Sequence, residues 1–147
     1  MNAPPSVTAF DARQFFDSFN GEGHGRHVGV RYVGHGADWA ELAIDYDPRL
    51  VGQVESGILA SGPIVTLLDM ATGTSVWVRM GRFIPQATLD LRLDYLRPAT
   101  PGRAVIGHGE CYRITRRIAF VRGYAHDGDP ADPVARVAGT FLFTDVA

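Results

Sequence analysis

A single cysteine, Cys111, is the only thiol in this chain. That excludes an internal disulfide framework and fits a reducing compartment. Charge is scarce as well. Charged residues make up 20% of the 147 and nearly cancel, leaving a net −2 and an isoelectric point near 6.2. Phosphate neutralisation needs a basic face, so nucleic acid is not an expected partner. Residues 1–5 have neither a basic segment nor an apolar run, so nothing there reads as a secretory leader. The most apolar stretch, 58–80, is interrupted by Asp69 and several small polar residues, which makes it a poor membrane span. The expectation is a cytoplasmic protein with no membrane partner.

The common chemical signatures are missing too. There is no G-x-S-x-G, no H-E-x-x-H, no P-loop and no G-x-G-x-x-G between a strand and a helix. Gly21-Glu-Gly-His-Gly25 is glycine-rich, but no β-run precedes it. The five histidines, at 24, 27, 35, 108 and 126, lack metal-ligand spacing. His24 and His27 read as a surface pair. Cys111 falls inside a predicted strand, with no helix N-terminus to activate it, and reads as an inert buried thiol.

What is present is 46% apolar residues, enough for the core of one domain. Residues 1–25 read as a tail and a short helix, 8–19, with Phe10, Phe15, Phe16 and Phe19 toward one buried face and a glycine break after it. Residues 26–147 read as a single domain. Strands 28–33 and 39–46 form a hairpin through 34–37. A loop follows over 48–56. The next segment reads as a helix with Ser61 as N-cap, Pro63 in its first turn and Gly81 as C-cap. Its apolar residues cover nearly all sides, which predicts a buried helix. Strands follow at 88–95, 104–114, 118–125 and 134–143, joined by short turns and therefore antiparallel. Within 88–95, Leu89, Leu91, Leu93 and Tyr95 alternate with Thr88, Asp90, Arg92 and Asp94, so the two sets take opposite faces. The result is an α+β fold in which a curved antiparallel sheet covers one long helix.

Asp69 stands out in that helix. A buried carboxylate is costly without partners. It lies two turns after Gly62, on a face with Thr66 and Gly73, and the helix start offers unpaired N–H groups and a positive dipole end. A carboxylate and an anion-stabilising end together suit acyl transfer. The residues leave a second reading open, in which Asp69 pairs with an arginine or caps another backbone segment.

Two segments carry a resemblance. Gly57-Ile-Leu-Ala-Ser-Gly62 runs into Thr66-Leu-Leu-Asp69, and Ala87-Thr-Leu-Asp-Leu-Arg-Leu-Asp-Tyr-Leu-Arg-Pro-Ala99 follows, with Ala138-Gly-Thr-Phe141 in the closing strand. Over about residues 28–143 the chain resembles the phenylacetate-degradation (PaaI) type thioesterases of the hotdog superfamily. Those proteins show a G-x-x-H-G-G-x-x-x-x-x-x-D helix motif. The resemblance implies a sheet of five to six strands around one central helix. It implies a homodimer or tetramer with active sites at the dimer interface, acyl-CoA substrates, and no metal or organic cofactor. It places the catalytic carboxylate, a general base or a nucleophile, on Asp69 and the following strand's hydroxyl, supplied across the interface, on Thr88. The oxyanion-binding N–H groups fall near Ser61 and Gly62, and the loop amide falls on Gln53. The motif histidine is Ala60 here. That raises an alternative, a non-catalytic acyl-CoA or small-ligand binding protein on the same fold. A hotdog dehydratase fits less well, because no D-x-N-x-x-H segment is present. Arg97, Arg116 and Arg117 are the candidates for CoA phosphates. Phe83, with the apolar helix residues and Thr66, is a candidate lining of the acyl site.

Overall fold

Small residues let a sheet close tightly around a helix, and they decide this architecture. The structure is a computed structural model and describes residues 9–18 and 22–144. Helix α1 spans Ala12–Ser18 and α2 spans His24–Val28. Strands β1 (Val30–His35) and β2 (Trp39–Ile44) follow, then a one-turn 3₁₀ helix over Pro48–Leu50. Short strands β3 (Val51–Gln53) and β4 (Ile58–Leu59) lead into the long helix α3, Ser61–Met80. Four strands complete the chain: β5 (Gln86–Tyr95), β6 (Val105–Ile114), β7 (Ile118–His126) and β8 (Ala135–Phe143).

The six longer strands form one antiparallel sheet in the order β1-β2-β6-β7-β8-β5, and β3 and β4 form a separate two-stranded ribbon. The sheet wraps α3, whose 20 residues extend about 30 Å. Ile64, Leu67 and Leu68 are buried in the first half of α3, and Ala71 through Val76 in the second. Contact is backbone to backbone at one point: a Cβ on Gly109 of β6 would lie 2.5 Å from the Ala71 carbonyl carbon. The buried hydroxyls of Thr72, Thr74 and Ser75 are satisfied within the helix, donating to the carbonyls of Leu68 (2.7 Å), Met70 (2.7 Å) and Thr72 (2.6 Å).

Three sequence expectations change here. Ser61 is the first helical residue of α3. Ala60 occupies the cap position with extended backbone and no side-chain hydrogen bond, because the β3–β4 ribbon fixes the entry instead, with Ala60 N–H donating to the Leu50 carbonyl. Gly81 ends α3 in the left-handed conformation at φ 66°, as expected. The glycine break contains α2, bounded by Gly23 (φ 102°) and Gly29 (φ 84°). The alternation of β5 is broken by a one-residue bulge, since Thr88 pairs with Phe141 while Asp90 pairs with Thr140. Leu89 is the extra residue and is 58% exposed. Before the bulge Gln86 and Thr88 face α3, and after it Leu91 and Leu93 pack on the core.

α1 begins at a cap the sequence reading passed over: Asp11 Oδ1 accepts from Gln14 N–H at 3.0 Å. Phe10, Phe15, Trp77 and Phe83 pack as an aromatic cluster beside the end of α3. Phe19, expected on the same face, lies outside the described residues. Among the described residues, no helix is long and apolar enough to cross a membrane.

Candidate active site

The middle of α3 carries the polar residues that the core does not account for. Asp69 is half-buried there, and its Oδ1 accepts a hydrogen bond from Thr88 Oγ1 at 2.8 Å. Among the described residues no cation forms an ion pair with Asp69. The arginine-paired reading of Asp69 is therefore not what the chain forms. The resemblance implied that Thr88 comes from a partner subunit, yet the β5 bulge delivers it to Asp69 of the same chain.

Asp69 and Thr88 line a cavity of about 370 Å³. Its apolar wall is made by Phe15 and Phe16 of α1, Met70 and Trp77 of α3, and Phe141 of β8. Its polar lining includes His24, Thr74 and Gln86. Gln86 Nε2 donates to the Gly73 carbonyl at 2.9 Å, whereas its Oε1 is buried and has no hydrogen-bond partner among the described residues. A Cβ on Gly73 would meet Gln86 Nε2 at 3.2 Å and the Phe141 ring at 3.3 Å, so glycine lets both close in. Phe83 is not part of this lining. It stacks on Phe15 and Trp77, which are.

The helix start stands apart. Ser61 and Gly62 are exposed, and as the first helical residues their N–H groups have no intrahelical acceptor. Gly62 precedes Asp69 by seven residues, about 10 Å along the axis. One thioester carbonyl cannot touch both. Gln53 is exposed on β3, and its Oε1 accepts from the Ser56 hydroxyl at 2.9 Å. Gln53, Ser61 and Gly62 do not line the Asp69 cavity. A single chain thus presents two separate halves, a carboxylate in an apolar cavity and an amide-rich helix start.

The arginines divide differently from expectation. Arg97 grips Asp127 with two bonds (Nη1 to Oδ2 at 3.0 Å and Nη2 to Oδ1 at 2.6 Å) and also reaches Asp132. The guanidinium holds the buried Asp127 carboxyl well below the usual carboxylate range. Arg97 is thereby committed to clamping the chain after β5 to the β7–β8 turn. Arg116 and Arg117 are exposed in the β6–β7 turn, away from the cavity lining. The sequence reading missed the opposite side. A cleft of about 630 Å³ is lined by Arg26, His27, Arg31 and Arg49, and it shares Gly23, Arg26 and Val30 with the Asp69 cavity. Cys111 is buried, and burial pushes its thiol up to about 11. No cluster among the described residues could hold a metal ion.

Comparison with known proteins supplies a frame for this geometry. A sequence model of the thioesterase superfamily matches residues 56–134. The chain is similar to the medium/long-chain acyl-CoA thioesterase YigI of Salmonella typhimurium, at 29% identity over 117 residues, covering 71% of this chain and 75% of that one. Among solved structures, a Pseudomonas aeruginosa protein shares 36% identity, with a TM-score of 0.77 over 89% of this chain and 95% of the other. The PaaI protein of the Escherichia coli phenylacetic acid degradation operon is 11% identical, with a TM-score of 0.74 over 86% and 88% of the two chains, and so shares the hotdog fold.

Proposed function

The chain belongs to the thioesterase superfamily, and from that premise we propose that it hydrolyses acyl-CoA thioesters of small or medium acyl groups, with Asp69 as general base. The observation that carries this reading is the Asp69–Thr88 pair set in an apolar cavity. The Thr88 hydroxyl fixes the carboxylate through Oδ1 and leaves Oδ2 to take a proton from water. The apolar wall supplies a place for an acyl group, and the cavity is of small-ligand size. The adjoining arginine cleft suits the other end of the substrate. Among the described residues Arg31 and Arg49 are paired only with the neighbouring Asp45 and Asp47, contacts worth little at an exposed surface and readily exchanged for phosphate. An apolar chamber opening beside a cationic cleft fits a molecule with an acyl chain at one end and phosphates at the other.

The oxyanion site completes the argument for self-association. Because Gly62 and Asp69 of one chain are too far apart to share a carbonyl, a second copy is the natural source of the helix-start N–H groups. Two α3 helices lying antiparallel about a two-fold axis would set the Ser61–Gly62 end of one beside Asp69 of the other. The exposed apolar residues Leu89, Tyr95 and Leu96 on and after the edge strand β5 support a dimer on that side. Gln53 would then help orient the attacking water from the partner copy.

A panel of acyl-CoA thioesters assayed with a thiol reagent tests the proposal. Turnover by the wild type that falls by about 10²-fold or more in Asp69→Asn supports it. Equal trace rates in both would reject it. Ala60 at the cap position motivates the ligand-binding alternative, for which CoA esters would raise the melting temperature without being hydrolysed.

A further inference from the structure

His24, an exposed residue of α2, lines the Asp69 cavity and bonds to one side chain of α3. Its Nε2 lies 2.9 Å from Thr66 Oγ1. The Thr66 hydroxyl hydrogen is committed to the Gly62 carbonyl at 3.1 Å, the usual back-bond of a helical threonine. With that hydrogen on the Gly62 carbonyl, Thr66 Oγ1 faces His24 as an acceptor and the assigned tautomer carries the ring proton on Nε2. In the neutral imidazole the other nitrogen, Nδ1, is then a bare lone pair. No hydrogen-bond partner satisfies Nδ1 among the described residues.

Position adds to chemistry. Thr66 stands three residues before Asp69, so the two side chains are neighbours on one face of α3. A ring bonded to Thr66 is therefore held on that face, and His24 and Asp69 open onto the same cavity. The seating is tight: a Cβ on Gly25 would lie 2.8 Å from Met70 Cε, so α2 rests on α3 with no space between.

We propose that His24 is a second catalytic residue of this site, whose Nδ1 lone pair accepts one hydrogen of the attacking water while Asp69 accepts the other. This rests on the thioester hydrolase reading above. Water held between two acceptors turns an oxygen lone pair toward the carbonyl carbon. As the new C–O bond forms, the water proton passes to the Asp69 carboxylate. As the C–S bond breaks, its electron pair leaves on sulfur and takes up that proton, giving the free acid and the thiol. His24 neither gains nor loses a proton in the cycle. The charged groups that line the cavity with His24 are Glu22 and Arg26 from its own segment and Asp69 from α3. The surrounding α1, β5 and β8 contribute only Phe15 and Phe16, Gln86 and Thr88, and Phe141.

The test compares the wild type with His24→Phe, His24→Asn and Thr66→Val, recording kcat and KM alongside the melting temperature. His24→Phe is expected to lose at least about tenfold in kcat with little change in KM. His24→Asn, whose amide oxygen can stand in for Nδ1, should recover part of kcat. Nitrogen NMR of the ring gives a readout independent of turnover: the Nε2–H tautomer in the wild type, and loss of that preference in Thr66→Val. An Nδ1–H tautomer, or a His24→Phe enzyme with wild-type kcat, overturns the proposal. If the wild type turns over through Asp69 regardless of His24, only this inference falls. If the wild type does not hydrolyse acyl-CoA, both readings fall together.

Discussion

Thr88 reaches Asp69 because β5 carries one residue too many. Gln86 and Thr88 face the helix, Leu89 bulges outward, and Leu91 and Leu93 take over the inner face. A strand with unbroken alternation would have turned either Thr88 or the two leucines to the outside. The bulge satisfies the core and the site at once, and it sets the Oγ1 to Oδ1 distance of 2.8 Å.

In the proposed mechanism Thr88 acts by holding the carboxylate. Thr88→Val, nearly isosteric, is expected to lower kcat on the best acyl-CoA by about tenfold or more, whereas Thr88→Ser keeps most of it. Steady-state kinetics on the three proteins check this. Equal losses in Val and Ser would mean that the methyl packing matters and the hydrogen bond does not.

Gly73 sets the depth of the cavity. Gly73→Ala places a methyl at 3.2 to 3.4 Å from Gln86 and Phe141, tight enough that one of them must give way. The expected outcome is a shift of kcat/KM toward shorter acyl groups, with the longest substrate tested losing most. An unchanged chain-length profile would show that the acyl group lies elsewhere.

A shared site makes a complementation prediction. Asp69→Asn and Gln53→Ala are each expected to be impaired as homodimers. Subunits mixed randomly give half heterodimers, each with one intact site of two, so activity should return to about a quarter of wild type. No recovery on mixing, with exchange verified by mass spectrometry, contradicts a site built from two chains.

The Arg97–Asp127 clamp predicts a pH-dependent stability. Asp127 is held below its ordinary range in the folded state, so its stabilisation is complete above the unfolded carboxylate pKa of about 3.9 and fades as pH falls below that value. Asp127→Asn should destabilise by about 3 kcal/mol at neutral pH, because it leaves the largely buried Arg97 with only the exposed Asp132 as a charge partner. In urea titrations the gap between wild type and variant should narrow as pH drops below about 4. A gap constant from pH 7 to 3 would show that the carboxylate charge is not the source.

The parts of this fold visible in the sequence are those decided by local periodicity. The all-round apolar helix up to Gly81 and the long strands follow from spacing alone, and Asp69 stood out because a carboxylate in such a helix is unusual. What was hidden depends on distant partners. The bulge at Leu89 is set by pairing with β8, some fifty residues on, and cannot be read from β5 itself. The clamp on Arg97 needs Asp127, thirty positions away, so an arginine at a strand end looked available for phosphate. β3 and β4 are three and two residues long and carry no pattern of their own. His24 sat in a glycine-rich stretch without helical periodicity. The one signal it offered was a histidine flanked by Gly23 and Gly25, residues that let the backbone fold back onto α3.

The most direct measurement is single-turnover hydrolysis of acyl-CoA by wild type and Asp69→Asn at equal occupancy of the site. The account predicts that both bind the ester, and that the variant's chemical step is slower by about 10²-fold or more. Equal chemical rates in the two proteins would contradict the assignment of Asp69 as the base.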